Sequence, residues 1–396
     1  MRKIAATYIF TNSGPPVKNG ILICKNDGTV TDIIKRDGSF TEEAGTEFYS
    51  GILVPGFVNA HCHLELSHLQ NKITPKTGFG DFLKKINQQK NNSTNQKKAM
   101  QIADRKMWAA GIAAVGDVSN SEISLQFKAK GKCHYHTFIE VFGFHPSRAE
   151  RAFNQGKALL ESFNKAGLPA SIVPHSPYSV SHKLFALVEQ HALQNSGIIS
   201  MHNQESQAED EFFKAGTGNL LKHFKDNLKL ETSHWKSTGK SSIQSVLRFL
   251  QKENKLLLVH NTFIEQSDIE VLRRSRDLNN IYFVLCPNSN LFVQDCLPPF
   301  DLLHSEKLNI CLGTDSLASN NELSILKEML TIQQRFNELT LEELVRWSSI
   351  NGARALSIEE FFGSFEPGKN PGVNLITGID FKTMKLTDKA KVKRLV

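Results

Sequence analysis

No run of apolar residues in this sequence approaches the roughly 18 to 20 needed to cross a bilayer, which excludes a membrane-spanning protein from the expectations. The opening MRKIAATYIF lacks the long apolar stretch and small-residue cleavage site of a secretory leader. Cysteine is scarce. The six (Cys24, Cys62, Cys133, Cys286, Cys296 and Cys311) are scattered without a C-x-x-C pair, so a disulfide framework is not expected, and reduced thiols lying mostly in a core are. The expected compartment is the cytoplasm. The net charge of +7 is spread over many lysines, with one modest cluster in DKAKVKRLV and no stripe of alternating basic and aromatic residues. Nucleic acid and membrane are therefore not expected partners. A small-molecule substrate is, and a homodimer is a common state for such chains.

What is present is an ordinary globular composition, 40% hydrophobic and 22% charged over 396 residues, enough for one large domain and a smaller one. Before residue 50 the chain reads as short strands and turns, with a hairpin signal at Asn26-Asp27-Gly28. From Leu53 the pattern changes to short apolar runs separated by helical stretches. Eight such runs stand out: ILVPGFVNAH, IAAVGDVS, HTFIEVFGF, ASIVPHS, GIISMHN, KLLLVHN, NIYFVLCPN and LNICLGTD. Eight repeated β-α units close a barrel. The expected fold is α/β, a (β/α)8 TIM barrel over 51–363 with a small β-sandwich domain built from both chain ends, 1–50 and 364–396. Helices are expected between the strands, one of them capped by Ser181, and the late TLEELVRWSSINGARAL reads as one more. Two polar excursions interrupt the pattern, NQQKNNSTNQKK from Asn87 and the region from about Ala208 to Ser241. The second reads either as a lid or as ordinary surface.

The strand ends carry the chemistry. His61 and His63 are two apart after an apolar run, so in an extended segment both rings face the same side. His175, His202, His260 and Asp315 fall at the ends of four other candidate strands, the face on which barrel active sites are built. Imidazole nitrogens with one carboxylate oxygen suit a zinc-like divalent ion that keeps a position open for water, and such an ion brings the pKa of that water toward neutrality. Glu205, three residues after His202, is placed to exchange a proton there, although a glutamate at a helix start also serves simply to satisfy backbone N–H groups.

NAHCH, MHNQE, VHNTF and LGTDS, in this order and at these separations, resemble the amidohydrolase superfamily, specifically its mononuclear-metal deaminase branch. The resemblance covers nearly the whole chain. GSFEPGKNPGVNLI is similar to the closing GSIEPGKDADLVLI of that family and departs from it at Asn370-Pro371-Gly372. The resemblance implies that His61, His63, His202 and Asp315 hold one divalent metal, zinc or iron, that Glu205 shuttles the proton, and that His260 hydrogen-bonds the attacking hydroxide. It places Asp315 among the catalytic groups as well. Strand four ends in His175 where a binuclear site would need a carboxylated lysine, so one ion is expected.

HSPYSVS, with His175 and Tyr178, resembles the segment after strand four in deaminases of adenosine-like nucleosides, and implies substrate contacts there. HLELS is similar to the HTHLELS stretch of aminodeoxyfutalosine deaminases, which makes Glu65 a substrate-binding candidate beside its plainer reading as a structural carboxylate. Glu140 and Arg148, near the end of strand three, are further candidates, and Asn288 and Asn290 line the pocket or cap a turn. Cys62 is expected to face the barrel wall. Three functions stay open: a metal-dependent deaminase of an amino-substituted heterocycle, most simply an adenine nucleoside-like compound such as aminodeoxyfutalosine; a hydrolase of amide or lactam bonds; and a non-catalytic metal-binding barrel.

Overall fold

A computed structural model of the chain describes residues 1–35, 44–89 and 93–396. Part of the polar excursion after Asn87 lies outside these residues. Eight parallel strands form the barrel: β1 Phe57–Cys62, β2 Ile112–Ser119, β3 His134–Val141, β4 Ala170–Pro174, β5 Ile198–Asn203, β6 Lys255–His260, β7 Ile281–Leu285 and β8 Asn309–Leu312. All eight coincide with the apolar runs of the sequence. They read as nearly unbroken apolar runs because both faces of each strand are covered, one by the lumen and one by helices. The lumen is filled by side chains drawn from every strand, among them Val58, Ala114, Phe138, Leu257 and Cys311, with Ala353 and Leu356 packed against them.

The strands pair in two parallel quartets, β1–β4 and β5–β8. Two seams join them, and each seam involves residues singled out above. At one, His202 N–H donates to the carbonyl of His175 at 3.0 Å. At the other, the carbonyl of His61 accepts from Thr314 N–H and Asp315 N–H at 3.0 and 3.1 Å, while Asn59 Nδ2 donates to Thr314 Oγ1 at 2.7 Å and Asn59 Oδ1 accepts from Thr314 N–H at 3.0 Å. Gly313 makes the second seam feasible, since a Cβ there would lie 2.9 Å from His61 Cβ and from its carbonyl oxygen.

Both chain ends meet in one seven-stranded sheet. Its order is Lys385–Arg394, Val373–Asp380, Thr46–Pro55, Arg2–Ile9, Ile21–Cys24, Val30–Ile34, with the short Val17–Lys18 also paired to Arg2–Ile9. The strands are hydrogen-bonded as one continuous sheet, and one face encloses Ile4, Leu22, Val30, Leu53 and Val373. The hairpin signal is realised, with Gly28 at φ +94°. Thr46–Pro55 runs into β1 through the single residue Gly56, so the crossing from end sheet to barrel falls there, a few residues beyond residue 50. A Cβ on Gly56 would lie 2.3 Å from the carbonyl oxygen of Pro371, within the Asn-Pro-Gly departure.

Ser181 caps the helix His182–Gln194 through Leu184 N–H. TLEELVRWSSINGARAL is two helices, Leu341–Ser348 and Ile350–Ala355, broken at Ser349, whose φ and ψ of −140° and −82° lie outside the helical region. Two inserts rise over the C-terminal ends of the strands. One is the helix Phe79–Gln89; the other, a strap over residues 207–241, begins with the helix Gln207–Ala215 and is closed by Gly216 at φ +69°. Among the described residues no helix is long and apolar enough to cross a membrane, and the six cysteines are free thiols.

Candidate active site

Strict alternation from the lumen residues Val58 and Ala60 would send His61 and His63 outward. A register shift between Asn59 and Cys62 turns them in, and Cys62 faces the helical layer. His202 follows the inward parity of Ile198 on β5. His260 and Asp315, at the ends of β6 and β8, sit at φ +75° and +56°, a backbone region that non-glycine residues enter at a cost and that recurs at functional sites.

The result is a tight convergence. His63 Nε2 lies 3.0 Å from His61 Nε2, 3.2 Å from His202 Nε2 and 3.6 Å from Asp315 Oδ1. His202 Nδ1 donates to the carbonyl of His175 at 2.8 Å, which leaves a lone pair on Nε2. A proton on His63 can satisfy only one of its three neighbours, whereas a divalent cation satisfies all four atoms at once, so the donor set fits such an ion. Burial, reinforced by the neighbouring rings, holds His61 well below the ordinary imidazole range. Burial and His63 push His202 down to about 3. Neutral imidazoles are the ligating form. Burial alone would push Asp315 up, but His63, His260 and a hydrogen bond from Ser289 outweigh it and leave the carboxyl below its usual range. Ser289 and Ser319 donate to Asp315 Oδ2 at 2.6 and 2.8 Å and leave Oδ1 toward the histidines.

Glu205 is buried beside this cluster. Tyr178 O–H donates to its Oε1 at 2.5 Å, and its Oε2 lies 3.8 Å from His260 Nε2. Burial, then Glu209, pushes the Glu205 carboxyl well above its ordinary range. His260 Nδ1 is 3.3 Å from Asn290 Oδ1, which can only accept, so His260 turns an unprotonated Nε2 toward Glu205.

These groups open into a cavity of about 550 Å3, within the range of small-molecule sites. Its outer wall is apolar, with Phe79, Phe82 and Ile86 from the first insert and Phe224 and Leu228 from the strap. The strap therefore covers the cavity instead of standing apart from it. His175 lines the cavity with its Nδ1 held by Ser179 Oγ at 2.7 Å. Glu65 also lines it, but both its oxygens accept from the loop after β2: Ser121 N–H and O–H on one, Asn120 N–H on the other. Glu140 reaches the cavity too.

Arg148 does not. It lies in the turn Pro146–Arg148 that starts the next helix, beyond Phe142, and borders a separate hollow with Arg151 and Gln155. Asn288 likewise faces away, its side-chain Oδ1 accepting from Thr331 O–H at 2.7 Å and its backbone N–H donating to Glu328. The residues sequence reasoning missed are the serines that aim Asp315 and the apolar wall. For the wall there was a signal, since Phe79, Phe82, Leu83 and Ile86 follow the i, i+3, i+4, i+7 spacing of a helix face.

An eight-stranded parallel barrel with histidines and an aspartate gathered at its C-terminal rim, and a buried carboxyl beside them, defines the class of barrel hydrolases. The Amidohydrolase family profile matches residues 52–396, and the chain belongs to that family. It is a hydrolase of carbon–nitrogen bonds other than peptide bonds. The adenosine deaminase of Helicobacter pylori is 28% identical over 341 residues, 83% of this chain and 79% of that protein. The aminodeoxyfutalosine deaminase of Nitratiruptor sp. is 26% identical over 366 residues, 88% and 84% of the two chains. Among solved structures, the aminofutalosine deaminase of Helicobacter pylori in complex with methylthio-coformycin superposes with a TM-score of 0.82 over 100% of both chains at 20% identity, a likeness of fold.

Proposed function

We propose that the chain is a metal-dependent aminohydrolase that releases ammonia from an amino-substituted nitrogen heterocycle, with an adenine nucleoside-like compound such as aminodeoxyfutalosine as its substrate. The relatives named for adenosine and aminodeoxyfutalosine support the substrate class. The observation that carries the reading is the pairing of four convergent donor atoms with a buried carboxyl whose surroundings favour its protonated form.

His61, His63, His202 and Asp315 hold the ion, zinc in the first place and iron as the alternative outcome of analysis. When bound, the ion supplies a Lewis acid that yields a nucleophile from water near neutral pH. The chain's own groups do the proton work. Tyr178 occupies Oε1 of Glu205, so the exchangeable proton belongs on Oε2, the oxygen facing His260. The water oxygen bonds to the ring carbon while Glu205 passes its proton to the adjacent ring nitrogen. Glu205 then takes a proton from the added water and hands it to the exocyclic amine, which leaves as ammonia, and the remaining hydroxyl proton restores Glu205 as the ring carbonyl forms. His260, fixed by Asn290, orients the water, and Asp315 takes part beside it. His175, Tyr178 and Glu65 bound the substrate end of the cavity. Free cysteines fit a reducing cytoplasm.

The test is an ammonia-release screen across purine, pyrimidine and pterin compounds and their nucleosides. Wild type is expected to deaminate an adenine nucleoside, and Glu205→Gln to lose about 100- to 10,000-fold in kcat while keeping its metal. A carboxylate product without ammonia would instead make the protein an amide hydrolase.

A further inference from the structure

One side chain of the cavity wall holds a buried polar atom that nothing in the chain satisfies. His68 lies on the short 3₁₀ helix Leu64–Leu69, which follows the rim ligand His63, and it lines the cavity while only 6% exposed. Its Nδ1 is 3.1 Å from the carbonyl of Glu65, which also accepts from Gln96 Nε2 at 2.9 Å. A carbonyl only accepts, so Nδ1 carries a proton and the ring is fixed against the helix. Nε2, on the other side of the ring, is buried without a hydrogen-bond partner, and among the described residues that line the cavity no other side chain leaves such an atom. Glu65, by contrast, has both carboxylate oxygens engaged. An unpaired polar atom in a cavity walled by Phe82, Leu83 and Ile86 costs the folded protein free energy until a ligand completes it.

Building on the reading of the substrate as a nucleoside, we propose that His68 is a specificity-determining residue whose Nε2 binds a sugar hydroxyl. A hydroxyl both donates and accepts, so it completes Nε2 whether or not that nitrogen carries a proton. The place of His68 in the chain favours the sugar over the base. At about 2.0 Å of rise per residue, the helix carries His68 roughly 10 Å along from His63. The reacting ring carbon must sit against the donor cluster that His63 joins, so the base spans the interval and the group attached to it meets His68. A hydrogen bond in apolar surroundings is stronger than the same contact in water. An analogue lacking the hydroxyl leaves Nε2 unpaired, which is how a site built for a hydroxyl rejects its deoxy counterpart.

Deamination kinetics of adenosine and its 2′-, 3′- and 5′-deoxy analogues test this on the full-length protein dialysed against zinc. Calorimetric titration with the matching products, inosine and its deoxy analogues, gives a readout independent of turnover. Asparagine places its amide nitrogen near the position of Nδ1, and glutamine near that of Nε2. His68→Asn therefore keeps the bond to the Glu65 carbonyl and loses the ligand bond, and His68→Gln does the reverse. At least one deoxy analogue is expected to bind about tenfold more weakly than its parent in wild type and in His68→Gln. In His68→Asn the two should bind equally, with the KM of the parent raised about tenfold at unchanged kcat. A merely structural role for His68 would rank the variants the other way. Absent or equal binding of the inosine series by wild type, or discrimination unchanged in His68→Asn, overturns the proposal. If no nucleoside releases ammonia, the deaminase reading fails while the inosine series still decides the role of His68.

Discussion

Tyr178 and Glu205 are 27 residues apart, and their 2.5 Å hydrogen bond shows how a side chain expected to face the substrate can also govern the proton-carrying carboxyl. Tyr178→Phe removes that donor and frees Oε1 to compete for the exchangeable proton. Turnover should fall about tenfold, the equivalent of one lost hydrogen bond, with metal content unchanged; steady-state kinetics and metal analysis on one preparation check both halves. Glu328 offers a separate test through pH. Burial pushes its carboxyl up to about 8, although Asn288 N–H and Asn320 Nδ2 both donate to it. A folded pKa above the unfolded one means that the folded state holds the extra proton, so this contribution to stability is present at acid pH and is lost as pH rises toward 8. In Glu328→Gln the contribution is gone. Wild type should therefore lose ground to the variant between pH 5 and 8 in paired thermal melts, and a constant difference would contradict the assignment. Which residues carry the rim was legible from the sequence, since each ligand candidate follows an apolar run. Their tuning partners were not, because Ser289, Ser319 and Tyr178 meet their carboxylates only through tertiary contacts.

At the scale of the element, the turn that carries His63 is anchored from below. Asp117 on β2 accepts from Leu64 N–H at 2.8 Å through Oδ1, and its Oδ2 pairs with Lys128 at 2.5 Å, both side chains fully buried. Ser119 and Thr137 take further bonds from the same ammonium. Breaking such a pair strands a charge, so Lys128→Met is expected to destabilise by about 3–5 kcal/mol, and adding Asp117→Asn to recover part of it. Urea melts of the three proteins decide this, and full stability in the single variant would show the pair to be dispensable. The strands were legible because burial on both faces writes an unbroken apolar run. The break at Ser349 was not, because WSSINGARAL keeps helical spacing on both sides of it and only the backbone angles reveal the turn. Arg148 was misplaced for a related reason. The chain leaves β3 at Val141, and a further turn through Phe142 and Pro146 carries the guanidinium past the rim.

Over the whole molecule, the proposed ion joins β1, β5 and β8, strands far apart in the chain, at a place where hydrogen bonding between the quartets is reduced to a few seam contacts. Binding only to the folded form stabilises it by mass action, about 2.7 kcal/mol at a free concentration a hundred times the dissociation constant. A chelator should therefore lower the melting temperature, zinc should restore it, and His202→Ala should show neither response in thermal scans. An unchanged melting temperature after verified metal removal would mean that the barrel closes without the ion. The end sheet was legible as a composite of both chain ends, but its continuity as one sheet was not, because strand order is set by pairing over more than 300 residues.

Gly56 has one further implication. With a single residue between the last end-sheet position and the first of β1, and no room there for even a methyl group, the two units share one stiff spar. A junction this short and this tightly packed leaves little slack for the end sheet to swing against the barrel. The apolar roof over the histidines is instead built from the helix Phe79–Gln89 and the strap, segments outside that junction.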